Sequence, residues 1–199
     1  MTTPVVIATL LDAVNEVLDA CRIEQIEDIA EATDGTNEDA EAALSAVDFA
    51  AREFQHSGWF FNTENDVTIS PDGSGYLNIP TNALSISKAR YKTTRNQRLA
   101  NRGTRLYDPY NHTYVFTEDA VCDIIYLLPF EEMPSAMRSY VAAAAARRFG
   151  IPRLPTGSTF RYTEEALRSA LKLAHEEDER QRNEYAAGSS PHFARHAQR

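Results

Sequence analysis

The stretch Asn37–Pro80, NEDAEAALSAVDFAAREFQHSGWFFNTENDVTISPDGSGYLNIP, contains the change of pattern that decides the fold. Its first half carries apolar residues at helical spacing and ends at Gly58, a residue type that commonly terminates helices. Its second half consists of short runs separated by turn residues, which is typical of β-strands. The only tryptophan, Trp59, lies at this change, where a large ring can hold a helix end against a sheet. We therefore expect Trp59, Phe60 and Asn62 to form a structural junction.

Helical periodicity occurs on both sides of the β region. Apolar residues recur there at steps of three and four, and capping signals such as Thr3-Pro4 and Gly150 bound several of these segments. The pattern predicts four helices, over residues 3–21, 36–57, 134–149 and 162–187.

Between residues 67 and 130 the pattern is that of short strands. Turn sequences rich in Gly, Pro, Asn and Asp separate the strands at residues 71–75, 101–103 and 108–111. The most apolar run, 121–128, is expected to be the central or inner strand. The predicted strands are residues 67–70, 76–79, 84–91, 105–107, 113–116 and 121–128.

These segments predict an α+β protein. We expect an antiparallel four-helix bundle built from the N-terminal and C-terminal segments, with a small antiparallel β domain inserted between them. The expected boundaries are 1–62 for the first half of the bundle, 63–130 for the inserted β domain, 131–187 for the second half of the bundle and 188–199 for a flexible C-terminal tail.

Charge is segregated along the chain. The net charge is −9, of which residues 1–66 carry −13, residues 67–117 carry +5 and residues 118–199 carry −1. The overall acidity disfavours binding to duplex DNA, because such binding rests on neutralising phosphates. Opposite charges on different segments favour self-association or docking to complementary partners. No apolar run approaches the ~18 residues of a membrane span, so we expect no membrane association.

The sequence lacks the motifs of common catalytic sites. It has no Gly-x-Ser-x-Gly elbow, no Walker loop and no paired-cysteine cluster. His192 and His196 have a spacing that suits two metal ligands on a helix, but no carboxylate motif accompanies them. We therefore expect no enzyme activity, no cofactor and no bound metal.

The basic segment is the strongest candidate for a binding surface. Its cations are Lys88, Arg90, Lys92, Arg95, Arg98, Arg102 and Arg105, interspersed with Tyr91, Tyr107 and Tyr110. Three interpretations are open: the solvent face of a strand, a docking rim for an acidic neighbour, or a single-stranded nucleic-acid site that uses charge and stacking. The acidic first third of the chain favours the first two. The candidate partner-docking residues are Lys88, Arg90, Lys92, Arg95 and Tyr110.

Five pieces of the sequence, taken together, resemble one family. They are Asn37, Asp39, Ala40 and Ala43 in the second helix, Ser57-Gly-Trp-x-Phe-Asn-Thr-Glu64, Val67-Thr-Ile-Ser-Pro-Asp72, Arg105-Leu-Tyr-Asp108, and Phe130-Glu-Glu-Met-Pro134. In order and spacing the resemblance covers roughly Thr3 to Ala187. With these features the chain resembles tail tubular protein A, the head-to-tail adaptor family of short-tailed bacteriophages.

That resemblance implies a structural virion protein and not an enzyme. It implies a ring of twelve identical subunits between the phage portal protein and the tail nozzle protein, located in the phage tail after assembly in the host cytoplasm. Genomic DNA would pass through the channel during ejection without sequence-specific binding. The alternative, from a different class, is a small nucleic-acid-binding module that uses the basic β region.

Overall fold

The computed structural model describes residues 7–93, 97–153 and 164–189, and in these ranges the protein is mixed α+β, as expected. The chain divides into two compact units. The helical unit comprises Met1–Phe54 and Pro129–Arg199, and the β unit comprises Gln55–Leu128. The expected helix start at residues 3–6, Arg95, both C-terminal histidines and residues 190–199 of the expected tail lie outside the described residues.

The helices of the described part are α1 (Leu10–Ala20), α2 (Glu38–His56), α3 (Ser135–Gly150) and α4 (Glu164–Ser189), with short 3-10 helices at Ile29–Ala32, Phe60–Asn62 and Phe130–Glu132. Three of the α-helices begin within two residues of their expected starts, but α1 begins at Leu10, and residues 7–9, which were expected to be helical, are not. At the start of α1 the Asp12 amide donates to the Thr9 hydroxyl oxygen at 3.1 Å, and the Thr9 amide donates to the Asp12 carboxylate at 2.8 Å. This reciprocal cap satisfies two amides that have no partner within the helix. Within the described ranges, no helix combines the length and the apolar character needed to cross a membrane.

In the helical unit, α3 contacts both α1 and α4. Its buried side chains include four alanines, which allow neighbouring helices to approach closely: Ala142, Ala143, Ala145 and Ala146. Helix α2 meets α3 through the rings of Phe54 and Tyr140, whose centroids are 5.1 Å apart, and through the Arg148 guanidinium, 3.6 Å from the Phe49 ring centroid. These contacts link the helices of the unit, and their arrangement as an antiparallel four-helix bundle stays a prediction.

Two charged residues that follow the β unit in sequence hold the start of α1. The Leu10 amide donates to Glu131 Oε1 at 3.0 Å. Arg138 Nη1 donates to the carbonyl oxygens of Ala8 at 2.8 Å and Glu131 at 3.2 Å. A carboxylate is favourable at this position, because the first amides of a helix lack partners and carry partial positive charge. The two distant parts of the helical unit are therefore joined by polar contacts as well as by packing.

The larger sheet of the β unit has three antiparallel strands in the order β1 (Thr63–Ile69), β5 (Ala120–Tyr126) and β2 (Ala83–Tyr91). The apolar strand expected at the centre is therefore central, which confirms that prediction. A second, two-stranded sheet pairs β3 (Ala100–Arg102) with β4 (Arg105–Tyr107). The buried core of the unit contains Ile69, Leu77, Ala89, Tyr91, Leu99, Leu106, Phe116, Ala120, Cys122 and Ile124.

Two expected strands and one expected turn differ from the structure, and β1 begins at Thr63 instead of residue 67. Residues 76–79 and 113–116 form isolated bridges instead of continuous strands. Residues 101–103, expected as a turn, lie partly in β3, and the turn is limited to Gly103 and the residue after it. Gly103 has a φ of +63°, which suits a two-residue hairpin loop. The differences arise because strand pairing depends on tertiary partners, which a local pattern does not contain.

Candidate docking surfaces of the β unit

Asn62 is a buried polar side chain at the beginning of the β unit, with 2% of its surface exposed. Its Oδ1 accepts the Trp59 amide at 2.9 Å, and its Nδ2 donates to the carbonyl oxygens of Gln55 at 3.0 Å and Tyr126 at 2.8 Å. One side chain thus satisfies three backbone groups. Trp59 is buried and Phe60 is partly buried. The predicted junction residues lie together in this unit, and their role as a joint stays a prediction.

Gln55, near the end of α2, is fully buried. Its Nε2 donates to the Leu128 carbonyl oxygen at 3.1 Å, and its Oε1 accepts the Leu128 amide at 2.8 Å. Nearby, Gly58 has a φ of +78°, and a Cβ at that position would lie 2.8 Å from Ile125 Cδ1. Conformation and space therefore both favour glycine there. No sequence signal identifies Gln55, because a glutamine at a helix end usually faces solvent.

Three of the predicted docking cations are paired with acidic residues of the same unit. The pairs are Lys88 with Asp123 (Nζ to Oδ2, 2.6 Å), Arg90 with Asp66 (Nη2 to Oδ1, 2.6 Å) and Lys92 with Asp119 (Nζ to Oδ2, 3.3 Å). An acidic partner would have to compete with these carboxylates. Of the remaining two residues, Tyr110 is 65% exposed, and Arg95 lies outside the described residues. The docking role of this set stays a prediction.

Asp123, on the central strand, holds both neighbouring strands at irregular points. Asp66 in β1 and Lys88 in β2 each have a φ of +54° and lie at register shifts. Asp123 Oδ1 accepts the Asp66 amide at 3.0 Å, while Oδ2 pairs with Lys88. Burial raises the pKa of Asp123, but the Lys88 bond, the Asp66 amide and the charge of Arg90 outweigh it, so the pKa is lowered. The bulge at Lys88 also interrupts the alternation that would place the cations of β2 on one face.

Replacing Asp123 with asparagine is expected to lower the free energy of unfolding at pH 7 by about 1–2 kcal/mol. This is the usual contribution of a hydrogen bond to a charged group, reduced because solvent screens the exposed Lys88 ammonium. The folded-state pKa of Asp123 lies below the ordinary value of 3.8. The stabilisation by Asp123 is therefore complete above pH 3.8 and is lost as the pH falls through the lower folded-state pKa. The difference between wild type and Asp123→Asn should shrink in that acid range. Urea denaturation at pH 7 and at several pH values below 3.8 measures it.

The matched control is Asp119→Asn, because Asp119 also pairs with a lysine but in a more exposed setting. We expect it to change the free energy of unfolding less than Asp123→Asn does. Equal effects of the two variants would show that the burial of Asp123 and its bond to the Asp66 amide add nothing.

Asp108 is a fully buried carboxylate that closes the turn after β4. Its Oδ2 accepts the Tyr91 hydroxyl at 2.5 Å and Asn111 Nδ2 at 2.7 Å, and its Oδ1 accepts the amides of Tyr110 at 2.8 Å and Asn111 at 3.1 Å. Burial raises the pKa of Asp108, but these hydrogen bonds outweigh it and the pKa is lowered. Burial and the bond to Asp108 also raise the pKa of Tyr91. The carboxylate therefore stays ionised and fastens the turn to β2.

An open groove of about 480 Å³ has a basic and aromatic lining that comes from residues before and after this turn in the sequence. We call it the arginine–tyrosine groove, and its principal residues are Tyr76, Arg102, Arg105, His112, Tyr114 and Val115. The Arg102 guanidinium lies 3.7 Å from the centroid of the Tyr107 ring. The Arg105 guanidinium lies 4.0 Å from the centroid of the Tyr76 ring. Val115 is 53% exposed and Tyr114 is 38% exposed.

Arg102 and Arg105 form no ion pair within the part of the chain that the structure describes. Both are exposed, and stacking on a ring leaves the N–H edge of a guanidinium free to donate to a carboxylate. These arginines belong to the basic segment but not to the predicted docking set. This groove is the stronger candidate for binding a partner that carries anionic groups.

Within residues 7–93, 97–153 and 164–189, the structure contains no group of three His, Cys, Asp or Glu side chains placed to bind a metal ion. The arrangement in the β unit offers hydrogen-bond donors, aromatic faces and charge, which are the elements of a binding surface.

Comparison with known proteins gives one family. The family model described as "Tail tubular protein" matches residues 11–185, from the first helix to the last. No curated protein matches the chain significantly. Because the family model spans most of the chain and includes both compact units, the chain belongs to the tail tubular protein family, whose members are structural proteins of phage tails that assemble into oligomers.

Proposed function

We propose that this protein is the head-to-tail adaptor of a short-tailed bacteriophage, a ring-forming subunit that joins the portal protein to the tail nozzle protein. The observation that carries the proposal is the tail tubular match over residues 11–185. The ring would contain twelve subunits, assembled in the host cytoplasm and retained in the virion. No enzyme activity is part of this proposal.

In this ring, the helical segments 1–62 and 131–187 would form an antiparallel four-helix bundle that packs against its neighbours. The inserted β segment, residues 63–130, would meet the tail nozzle protein or an adjacent subunit. The polar contacts of Glu131 and Arg138 at the start of α1 support a rigid helical building block. Trp59, Phe60 and Asn62 would act as the joint between the two parts.

The channel would let the genome pass without sequence-specific binding. Residues 1–66 carry a net charge of −13, and acidic side chains on a channel wall would repel the phosphates of duplex DNA. A channel wall found to be mainly basic in a map of the ring would contradict this part of the proposal.

The alternative, a small nucleic-acid-binding module, gains little from the basic strand. Lys88, Arg90 and Lys92 are paired with carboxylates of the same unit, so their charge is already partly balanced. The β unit as a whole contains seven acidic and seven basic residues. Binding to single strands with a steep dependence on salt would favour the alternative.

Purified protein, alone and mixed with its portal protein, is expected to form ring-shaped particles. Light scattering gives their mass, and negative-stain images give their shape and subunit number. The adaptor proposal would be refuted by a protein that stays monomeric with the portal present. If that monomer also bound oligonucleotides, the nucleic-acid alternative would take its place.

A further inference from the structure

We propose that the arginine–tyrosine groove of one copy binds the acidic segment of a neighbouring copy, residues 24–41. The inference rests on the ring proposed above and names the two surfaces that close it. Ring closure needs two different patches on each identical subunit that complement each other, because such a head-to-tail contact repeats around the ring.

The groove presents two arginines in a state suited to carboxylates. Arg102 and Arg105 are exposed, and each guanidinium is held against a tyrosine ring, so little side-chain freedom is lost on binding. Hydrogen bonds to the Asp72 carboxylate lower its pKa, and the charge of Arg105 adds to this effect. The Asp72 carboxylate accepts from the amides of Ser74 and Tyr76 and from another side chain, and it forms no ion pair with Arg105. The arginines therefore keep donors available for a partner.

The chemistry of the groove fits an acidic peptide better than a nucleic acid. One face of the Tyr76 ring and one face of the Tyr107 ring are covered by guanidinium groups, which removes surfaces on which a base would stack. The balanced charge of the β unit also gives little general attraction for phosphates. Val115 and Tyr114 add exposed apolar surface beside the arginines, which suits the aliphatic parts of a peptide.

The acidic segment has the complementary charge. Residues 24–41 contain eight acidic residues and no lysine or arginine. Three of these carboxylates accept local hydrogen bonds, namely Asp28, Glu31 and Asp34. The other five are exposed and make no ion pair within the described part of the chain: Glu24, Glu27, Glu38, Asp39 and Glu41. A segment with this many unpaired carboxylates is the best-matched occupant that the chain itself provides.

The test reverses charge on each surface and then on both. The groove variant is Arg102→Glu with Arg105→Glu, and the segment variant is Glu24→Lys, Glu27→Lys and Glu41→Lys. Sedimentation velocity of the full chain over a range of concentrations, at low and high salt, gives the association constant. Each variant alone is expected to weaken association by at least about tenfold at low salt, and the combination of both is expected to restore much of it. Recovery in the combined variant cannot come from misfolding.

Arg168→Glu with Lys172→Glu is the matched control, since both residues are highly exposed on α4 and the change in net charge equals that of the groove variant. It should weaken association less than the groove variant does. The proposal is overturned if wild type stays monomeric at every concentration, if the groove variant associates normally, or if the combined variant shows no recovery. It is also overturned if the groove variant loses binding to a single-stranded oligonucleotide but not association between copies. Rings that still form on the portal in these cases would leave the adaptor function standing.

Discussion

Replacing Asn62 with alanine is expected to lower the free energy of unfolding by about 3–4 kcal/mol, because three buried backbone groups would each lose a partner. Those groups are the Trp59 amide and the carbonyl oxygens of Gln55 and Tyr126. The Asn62 side chain is almost fully buried, so water cannot replace it without opening the start of the β unit. Urea denaturation followed by the fluorescence of Trp59, the only tryptophan, measures the change next to the site.

Asn65→Ala is the control, since Asn65 is exposed in β1 and the side-chain atoms removed are the same. We expect it to change the free energy of unfolding by less than about 1 kcal/mol, as surface substitutions usually do. If the two alanine variants unfolded at the same urea concentration, the Asn62 network would contribute nothing to stability.

Replacing Asp108 with alanine is expected to cost about 3–4 kcal/mol, because the Tyr91 hydroxyl, Asn111 Nδ2 and two turn amides would lose their acceptor. The pKa of Asp108 is lowered in the folded protein, so its stabilising effect is complete above pH 3.8. The effect is lost as the pH falls through the folded-state pKa. The wild type should therefore lose stability in acid more steeply than the variant. Chemical denaturation across that pH range measures both effects.

A double-mutant cycle with Tyr91→Phe isolates the shortest of these contacts. The phenylalanine keeps the ring packed on Phe116, 5.8 Å away between centroids, while it removes the hydroxyl. The double variant should be less destabilised than the sum of the two single variants, because they share one hydrogen bond. Strict additivity would show that the Tyr91–Asp108 bond is not coupled in the folded protein.

Much of the fold could be predicted because it depends on local patterns. The helical periodicity of α2, its end before Gly58 and the apolar run of β5 are all visible along the chain. Gly58 itself has a positive φ and a Cβ position blocked by Ile125, which is the physical reason for glycine at that point. The two-residue turn at Gly103 and the short bridges were predicted less well, because they depend on which distant segment lies alongside.

The candidate site was predicted only in part. The basic segment was recognised together with Tyr107, but Tyr76 and Tyr114 of the groove were not singled out. Whether each cation is paired with a carboxylate could not be predicted. Lys88 and Arg102 both lie in the basic segment, yet only Lys88 pairs with a carboxylate. Gln55 was not singled out, and Asp108 was recognised only as a turn residue and as part of the family resemblance, because Leu128 and Tyr91, which contact them, are distant in sequence.

The sequence by itself determined the α+β class, the change from helix to strand around Trp59 and the segregation of acidic from basic residues. The motifs along the chain also indicated a tail tubular protein, and the family match supports that membership. The tertiary structure alone decided which charges remain available for a partner. The sheet brings Asp66 and Asp123 to the cations of β2, while Arg102 lies against Tyr107 within the β3–β4 hairpin and Arg105 lies against Tyr76, which precedes the hairpin in sequence. Whether a charge is paired depends on distances between residues far apart in the chain, and those distances exist only after folding.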